Sequence, residues 1–176
     1  MRKIFSTLTI AIVAVFALCI TSSCGYQVTY NLSGGSIPPE AKTFSVAYFP
    51  NNAPMVAPTL SNVLTEALRD KFSRQTRLEQ VDEGGDFAFE GEIVNYTSTT
   101  ASVSSGDYAL QNRLTITLKV NFQNAVDQTT SFNAKNFSAY ADYDASQLLV
   151  DVQDQLIEEI VEDLVNDIYM AAAGNW

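Results

Sequence analysis

The sequence predicts an α+β fold with two helices packed on one face of a mainly antiparallel four-stranded sheet, with a possible extra short strand. Strand-like alternation of apolar and polar residues is grouped in the middle of the chain, and a segment with helical apolar spacing lies on each side of that group. The second helical segment has a broad apolar stripe that must be buried. A run of strands bracketed by helices is typical of an α+β sandwich with both helices on the same face.

The amino-terminal segment has the pattern of a secretory signal. Arg2 and Lys3 precede a run of apolar and hydroxyl residues whose strongest part is residues 8–20. This part matches the apolar region of a signal peptide, and it is shorter than the roughly 20 apolar residues that a membrane-spanning helix needs. We therefore expect residues 1–23 to be a lipoprotein signal peptide that is removed.

Cys24 follows two small residues, Ser22 and Ser23, which resembles a bacterial lipobox, although Thr21 stands where that motif usually has Leu. Ordinary cleavage that leaves a free thiol is the alternative. An intramolecular disulfide is excluded in this interpretation because Cys19 would leave with the signal. We expect Cys24 to carry diacylglycerol and a further acyl chain, because several acyl chains hold a protein at a membrane almost irreversibly. No other cofactor is expected.

The chain that remains after cleavage has the size of one domain and a strong acidic balance. It has 153 residues, and its formal net charge is −12 because the signal removes two bases from a chain of net charge −10. This balance argues against nucleic acid as a partner. Residues 24–40, with two Gly and two Pro near their end, predict a lipidated tether, and residues 41–176 predict the single domain.

The first strand and the first helix follow the tether. Residues 42–49 predict a strand, and residues 51–58 predict a loop rich in Pro and Asn. Thr59 is a candidate helix cap. Apolar residues then recur at helical spacing, namely Leu60, Val63, Leu64, Ala67, Leu68 and Phe72.

Three longer strands form the middle of the chain. Residues 87–93 and 114–122 alternate between apolar and polar side chains, and residues 132–143 predict a weaker strand rich in aromatics. The first two of these strands are joined by "TSTTASVSSGDYALQN", which has too few apolar residues to form core. That segment is either a mobile loop or a contact surface.

The last helix is amphipathic. Asp144 and Gln147 have the spacing of a capping pair for its start. The apolar residues between Leu148 and Ile168 form a broad stripe, and the acids occupy the opposite side. The stripe predicts a helix that lies on the sheet, which leaves the other face of the sheet to polar, mostly uncharged side chains.

The sequence offers little catalytic chemistry. It has no histidine, which removes the commonest general base and metal ligand. Glu90 and Glu92 on one strand face could mimic the carboxylate pair of a glycosidase, but a solvent-facing strand explains them as well. No phosphate-binding glycine motif is present. We therefore expect a protein that is not an enzyme, with a carbohydrate-active enzyme as the remaining catalytic alternative.

The segments "CGYQVTY", "GGSIPP", "KTFSVAYFPNNAP", "PTLSNVLTEALRDKF", "FEGEIVNY", "QNRLTITLKVNF" and "LIEEIVEDLVNDIY" resemble the outer-membrane lipoproteins of lipopolysaccharide assembly (LptE-like). The resemblance implies two helices against a four-stranded sheet. It also implies a lipid-anchored protein on the periplasmic side of the outer membrane that acts as a plug in a large LptD-like β-barrel. The pair would deliver lipopolysaccharide to the cell surface. A generic lipoprotein scaffold or ligand-binding module is the alternative function.

Two sets of residues are candidates for contacts in such an assembly. The basic residues on or beside the long strands are candidates for contact with lipopolysaccharide, with ordinary solvent contact as the alternative: Arg113, Lys119 and Lys135. The neutral hydroxyl residues of the polar sheet face and of the Ser/Thr-rich loop are candidates for contact with the inside of the barrel: Ser104, Thr115 and Thr117. We expect no metal site.

Overall fold

The computed structural model describes residues 37–101 and 110–174. Their elements are, in chain order, β1 (Thr43–Val46), α1 (Leu60–Gln75), β2 (Glu79–Gln80), β3 (Phe87–Ala101), β4 (Gln111–Asn124), a 3-10 turn (Gln128–Thr130), β5 (Phe132–Asp144) and α2 (Leu149–Ala173). This order of strand, helix, short strand, three long strands and helix is the order that the sequence predicts. The lipidation site at Cys24 and the loop residue Ser104 lie outside the described residues.

The sheet differs from the expected one in strand number and direction. It has five strands in the order β2-β1-β3-β4-β5. The long strands pair antiparallel, whereas β1 pairs parallel with both β2 and β3. The expectation of a mainly antiparallel four-stranded sheet with a possible extra short strand is therefore corrected to a five-stranded mixed sheet, in which β2 is a short edge strand. The parallel pairing of β1 with β2 follows from α1, because a helical crossover connects these two neighbouring strands.

Both helices lie on one face of the sheet, as predicted. The ring of Phe72 in α1 lies between Phe89 of β3 and Tyr169 of α2, with centroid distances of 4.6 and 5.4 Å. The same ring lies 5.8 Å from that of Phe44 in β1. The apolar positions of β4 are all buried on this face, which confirms its predicted alternation: Leu114, Ile116, Leu118, Val120 and Phe122.

The helix starts differ from the predicted caps. Thr59 has helical dihedral angles and its side chain makes no capping hydrogen bond. α2 begins at Leu149, with Leu148 in the capping position. The carboxylate of Asp144 instead accepts hydrogen bonds from the backbone N and the Oγ of Ser146, at 2.8 and 2.6 Å. An Asp side chain that bonds the backbone two residues later stabilises a turn, so Asp144 ends β5 rather than starting α2.

Gly91 allows the loop after β1 to pack closely on β3. A Cβ atom at this position would lie 2.5 Å from Cε1 of Phe49 and 2.6 Å from the carbonyl oxygen of Lys119. Phe49 is fully buried, so its ring occupies the space that a side chain would need. Glycine is therefore required by close packing, because the backbone of β4 cannot give way cheaply.

Candidate functional site

The face of β3, β4 and β5 that points away from the helices is here called the open face. Successive side chains of a strand point to opposite sides of a sheet, so the residues between the buried ones share this face. In register, Thr97, Thr115 and Tyr140 lie side by side across the three strands. The open face consists of Glu90, Glu92, Asn95, Thr97, Thr99, Arg113, Thr115, Thr117, Lys119, Asn121, Asn136, Ser138, Tyr140 and Asp142.

Neutral hydroxyl groups form the centre of the open face. The hydroxyls of Thr117 and Ser138 lie 3.0 Å apart across the β4–β5 pair. Thr97 and Thr115 are direct cross-strand neighbours, and the hydroxyl of Thr97 donates to the side chain of Asn95. Two of the three predicted barrel-contacting residues, Thr115 and Thr117, therefore lie together at the centre of this face.

Arg113 is bound tightly to neighbours on β5. Its Nε and one terminal nitrogen donate to the two carboxylate oxygens of Asp142, at 2.7 and 2.9 Å. The guanidinium carbon also lies 3.7 Å from the centroid of the Tyr140 ring. The paired hydrogen bonds raise the pKa of Arg113 and lower the pKa of Asp142. Arg113 thus contributes a closed ion pair to the open face rather than a free positive charge.

Lys119 has an acidic partner on β3, and this ion pair is longer than that of Arg113. Its Nζ lies 3.6 Å from a carboxylate oxygen of Glu92 on β3. The other oxygen of that carboxylate accepts a hydrogen bond of 2.7 Å from the side-chain amide of Asn52. Glu92, one half of the carboxylate pair considered for glycosidase chemistry, is therefore engaged in an ion pair and an amide contact.

Lys135 lies on the opposite side of the sheet from Arg113 and Lys119. It pairs in register with Val120, whose side chain points into the core, so Lys135 points to the helix side at the sheet edge. Its Nζ lies 5.2 Å from the ring centroids of both Phe132 and Phe137. The structure therefore does not bring the three basic candidates for lipopolysaccharide contact together into one site.

Sequence reasoning missed the partners of Arg113. Asp142 and Tyr140 come about 30 residues later in the chain and belong to the weakest predicted strand. Only the pairing register shows that Asp142 lies directly opposite Arg113 and that Tyr140 lies next to it. The alternation within 132–143 does place both residues on one face, and a trial register against β4 could have found them.

Similarity to solved structures is found for most of the chain. It resembles an uncharacterised protein of Chlamydia trachomatis, CT253, with a TM-score of 0.50, 7% identity and coverage of 75% of this chain and 98% of that one. It also resembles a minor lipoprotein of Acinetobacter baumannii (TM-score 0.43, 13% identity, 76% and 97% covered). A third similar structure is lipoprotein B of Nitrosomonas europaea (0.47, 15%, 82% and 87%). At these identities the likeness concerns the fold alone.

Among the described residues, neither helix combines the length and apolar character that crossing a bilayer requires.

Comparison with curated proteins gives no match. The family described as LptE, lipopolysaccharide assembly, matches residues 41–172, which is most of the chain and contains every described strand. The chain therefore belongs to the LptE family of lipopolysaccharide-assembly proteins.

Proposed function

We propose that this protein is an outer-membrane lipoprotein that acts as the plug and assembly subunit of an LptD-like β-barrel translocon. Cys24 carries its lipid anchor on the periplasmic side, and the pair delivers lipopolysaccharide to the cell surface. Membership of the LptE family supports the role in lipopolysaccharide assembly. The chemistry of the open face supports the choice of contact surface.

The observation that carries this proposal is that the open face is polar while its bases are already paired. Arg113 is paired with Asp142 and Lys119 with Glu92. Burying an unpaired charge is costly, whereas hydroxyl and amide groups can keep their hydrogen bonds through bridging water. A face with neutral hydroxyls at its centre therefore suits the wet, polar interior of a barrel.

The anchor adds to the affinity of such a contact. A lipid on Cys24 would confine the domain to the membrane that contains the barrel, and residues 24–40 would serve as the tether. Confinement of both partners raises their effective concentration. Modest contacts through the open face would then be sufficient for a stable pair.

A photo-crosslinking residue at Thr117 is expected to capture one large outer-membrane protein in living cells. Thr117 lies at the centre of the open face, where the proposed barrel wall would be nearest. The matched control is Glu159, an exposed residue on the outer side of α2. Crosslinks that arise from Glu159 and not from Thr117 would reject the open face as the barrel contact. The products are identified by mass spectrometry.

The role in transport has its own readout. Depletion of the protein should lower the amount of lipopolysaccharide at the cell surface. Unchanged surface lipopolysaccharide would favour the generic scaffold.

Phosphate groups of lipopolysaccharide would compete with Asp142 for Arg113 and with Glu92 for Lys119. Lys135 has no carboxylate partner within 37–101 and 110–174, so it is the candidate that could bind such a group without breaking an ion pair.

The change Cys24→Ala is expected to release the protein from the membrane fraction. Without the sulfur no diacylglycerol can be attached, so the protein lacks the acyl chains that would hold it at the membrane. Cell fractionation with immunodetection measures the effect, and Ser23→Ala, which keeps a small residue before the cysteine, is the control. A Cys24→Ala protein that still sediments with membranes in a detergent-sensitive manner would contradict lipidation at this residue.

A further inference from the structure

The two edges of the sheet are very different. β2, at one edge, has two residues, whereas β5, at the other edge, has 13. Within residues 37–101 and 110–174, β4 is the only strand that pairs with β5. The outer side of β5 therefore presents a long row of backbone groups to which another strand could bind.

The direction of these backbone groups follows from one hydrogen bond at the end of the strand. The backbone N of Ala145 donates to the carbonyl of Leu110 at 2.9 Å, so Ala145 is bonded toward the β4 side. In an antiparallel pair the residues alternate between bonding to the neighbour and pointing away from it. The register is unbroken from Asp144 back to Lys135. The N–H and C=O groups of Asn136, Ser138, Tyr140 and Asp142 therefore point outward.

The middle of this edge lacks the usual protection against pairing. Residues 136–141 contain neither a charged residue nor a proline. Proteins commonly protect an edge strand with charges, prolines or bulges. Such features stand only at the ends of the window: a bulge at Ala134, which has a φ of 50°, and Lys135 precede it, and Asp142 follows it. Six consecutive residues therefore remain open to an added strand.

Acidic residues lie on the flank of α2 that is on the β5 side of the helix. α2 packs on β5, and its other flank forms a groove of about 390 Å³ with α1 that is lined by Glu158 and Glu162. Each residue of an α-helix is rotated by about 100° from the previous one, which places Asp163 and Asp167 on the flank away from α1. Both residues are exposed. A strand added to β5 would direct every second side chain toward this flank.

We propose that the outer edge of β5 binds an extended segment of a partner protein as a sixth strand, with Lys or Arg at alternate positions facing Asp163 and Asp167. Backbone hydrogen bonds to Asn136, Ser138 and Tyr140 supply the pairing, and the charges select the register and the sequence of the segment. This site is separate from the open face and does not depend on the function proposed for that face.

The test uses the full lipidated chain in neutral detergent micelles and two synthetic seven-residue peptides. One peptide alternates Val with Lys and the other alternates Val with Glu. We expect the Lys peptide to bind and to slow hydrogen exchange at the amides of Ser138 and Tyr140, as measured by NMR. Failure of the Lys peptide to bind at millimolar concentration overturns the proposal, and so does equal binding of the Glu peptide.

Two pairs of charge changes separate the flanks of α2. Asp163→Asn with Asp167→Asn should weaken binding of the Lys peptide by about fivefold or more, since exposed ion pairs each contribute modestly. Glu158→Gln with Glu162→Gln removes the same charge from the other flank and should leave the affinity within about twofold. Equal losses for the two pairs would show a general attraction to an acidic protein and would overturn the assigned site.

A backbone change tests the strand pairing itself. Asn136→Pro removes an outward N–H, and its bonds to β4 are spared because the β4-directed groups belong to the odd-numbered residues. We expect a loss of peptide binding of about tenfold, with Asn136→Ala as the control that keeps the N–H group. Unchanged peptide binding by a folded Asn136→Pro protein would exclude β5 edge pairing. If that variant fails to fold, hydrogen exchange at Ser138 and Tyr140 and the two double charge variants of α2 still test the proposal.

Discussion

Replacing Phe72 by alanine is expected to lower the free energy of unfolding by about 3–5 kcal/mol. Phe72 is fully buried, and its ring joins β1, β3 and α2 through Phe44, Phe89 and Tyr169. The cost combines the lost transfer energy of the ring with that of a cavity, and a site on α1 that is bordered by three other elements cannot collapse easily. Urea denaturation followed by circular dichroism measures the change.

The control for Phe72 is Tyr48, an aromatic residue of the loop after β1 that is 57% exposed. Tyr48→Ala should change the free energy of unfolding by less than about 0.5 kcal/mol, as exposed positions usually do. A small change for Phe72→Ala, comparable to that for Tyr48→Ala, would mean that α1 does not pack on the sheet through this ring.

The elements that were predicted well are those whose buried side is given by the pattern of their own residues. β4 alternates from Leu114 to Phe122, and α2 repeats apolar residues at helical spacing, so the buried side of each can be read from the sequence alone. The same reasoning gave the correct order of elements and the shared face of the two helices. It could also place Thr115 and Thr117 on the polar side of the sheet.

The features that were missed depend on which strands become neighbours. An extra short strand is predicted, but the two exposed residues of β2, Glu79 and Gln80, carry no alternation that would show which strand it pairs with. The parallel direction of β1 follows from the crossover through α1, which the pattern of β1 itself does not contain. The pairing of Arg113 with Asp142 depends on the register of β5. Arg113, which the sequence analysis names as a candidate for contact with lipopolysaccharide, is for this reason part of an ion pair in the structure.

Capping was missed for a local reason. Asp144 had two competing options, because an Asp near a chain reversal can bond either a helix start or its own turn. The hydrogen bonds from Ser146 lower the pKa of Asp144 and hold it in the turn. The spacing to Gln147 is the same in both cases, so the capping pattern could not separate them.

Leu164→Ala is expected to lower the free energy of unfolding by about 2–5 kcal/mol. Leu164 is fully buried in the middle of α2, between Ile160 and Ile168 on the stripe that covers the sheet. This is a large fraction of the roughly 5–15 kcal/mol that stabilises an ordinary domain. Val150 at the start of the same helix is 66% exposed, and Val150→Ala serves as the control with an expected change below about 0.5 kcal/mol.

The result for Leu164 shows whether the apolar stripe of α2 packs on the sheet or binds a partner. A stripe that packs on the sheet stabilises the isolated protein, because its burial is complete before any partner binds. A stripe that served as a partner-binding seam would leave the isolated protein almost unchanged when Leu164 is shortened and would weaken only the complex. Urea denaturation of the chain without its partner separates these cases, and a change within error of zero would assign the stripe to an interface. The full burial of Leu164 leads us to expect the large loss.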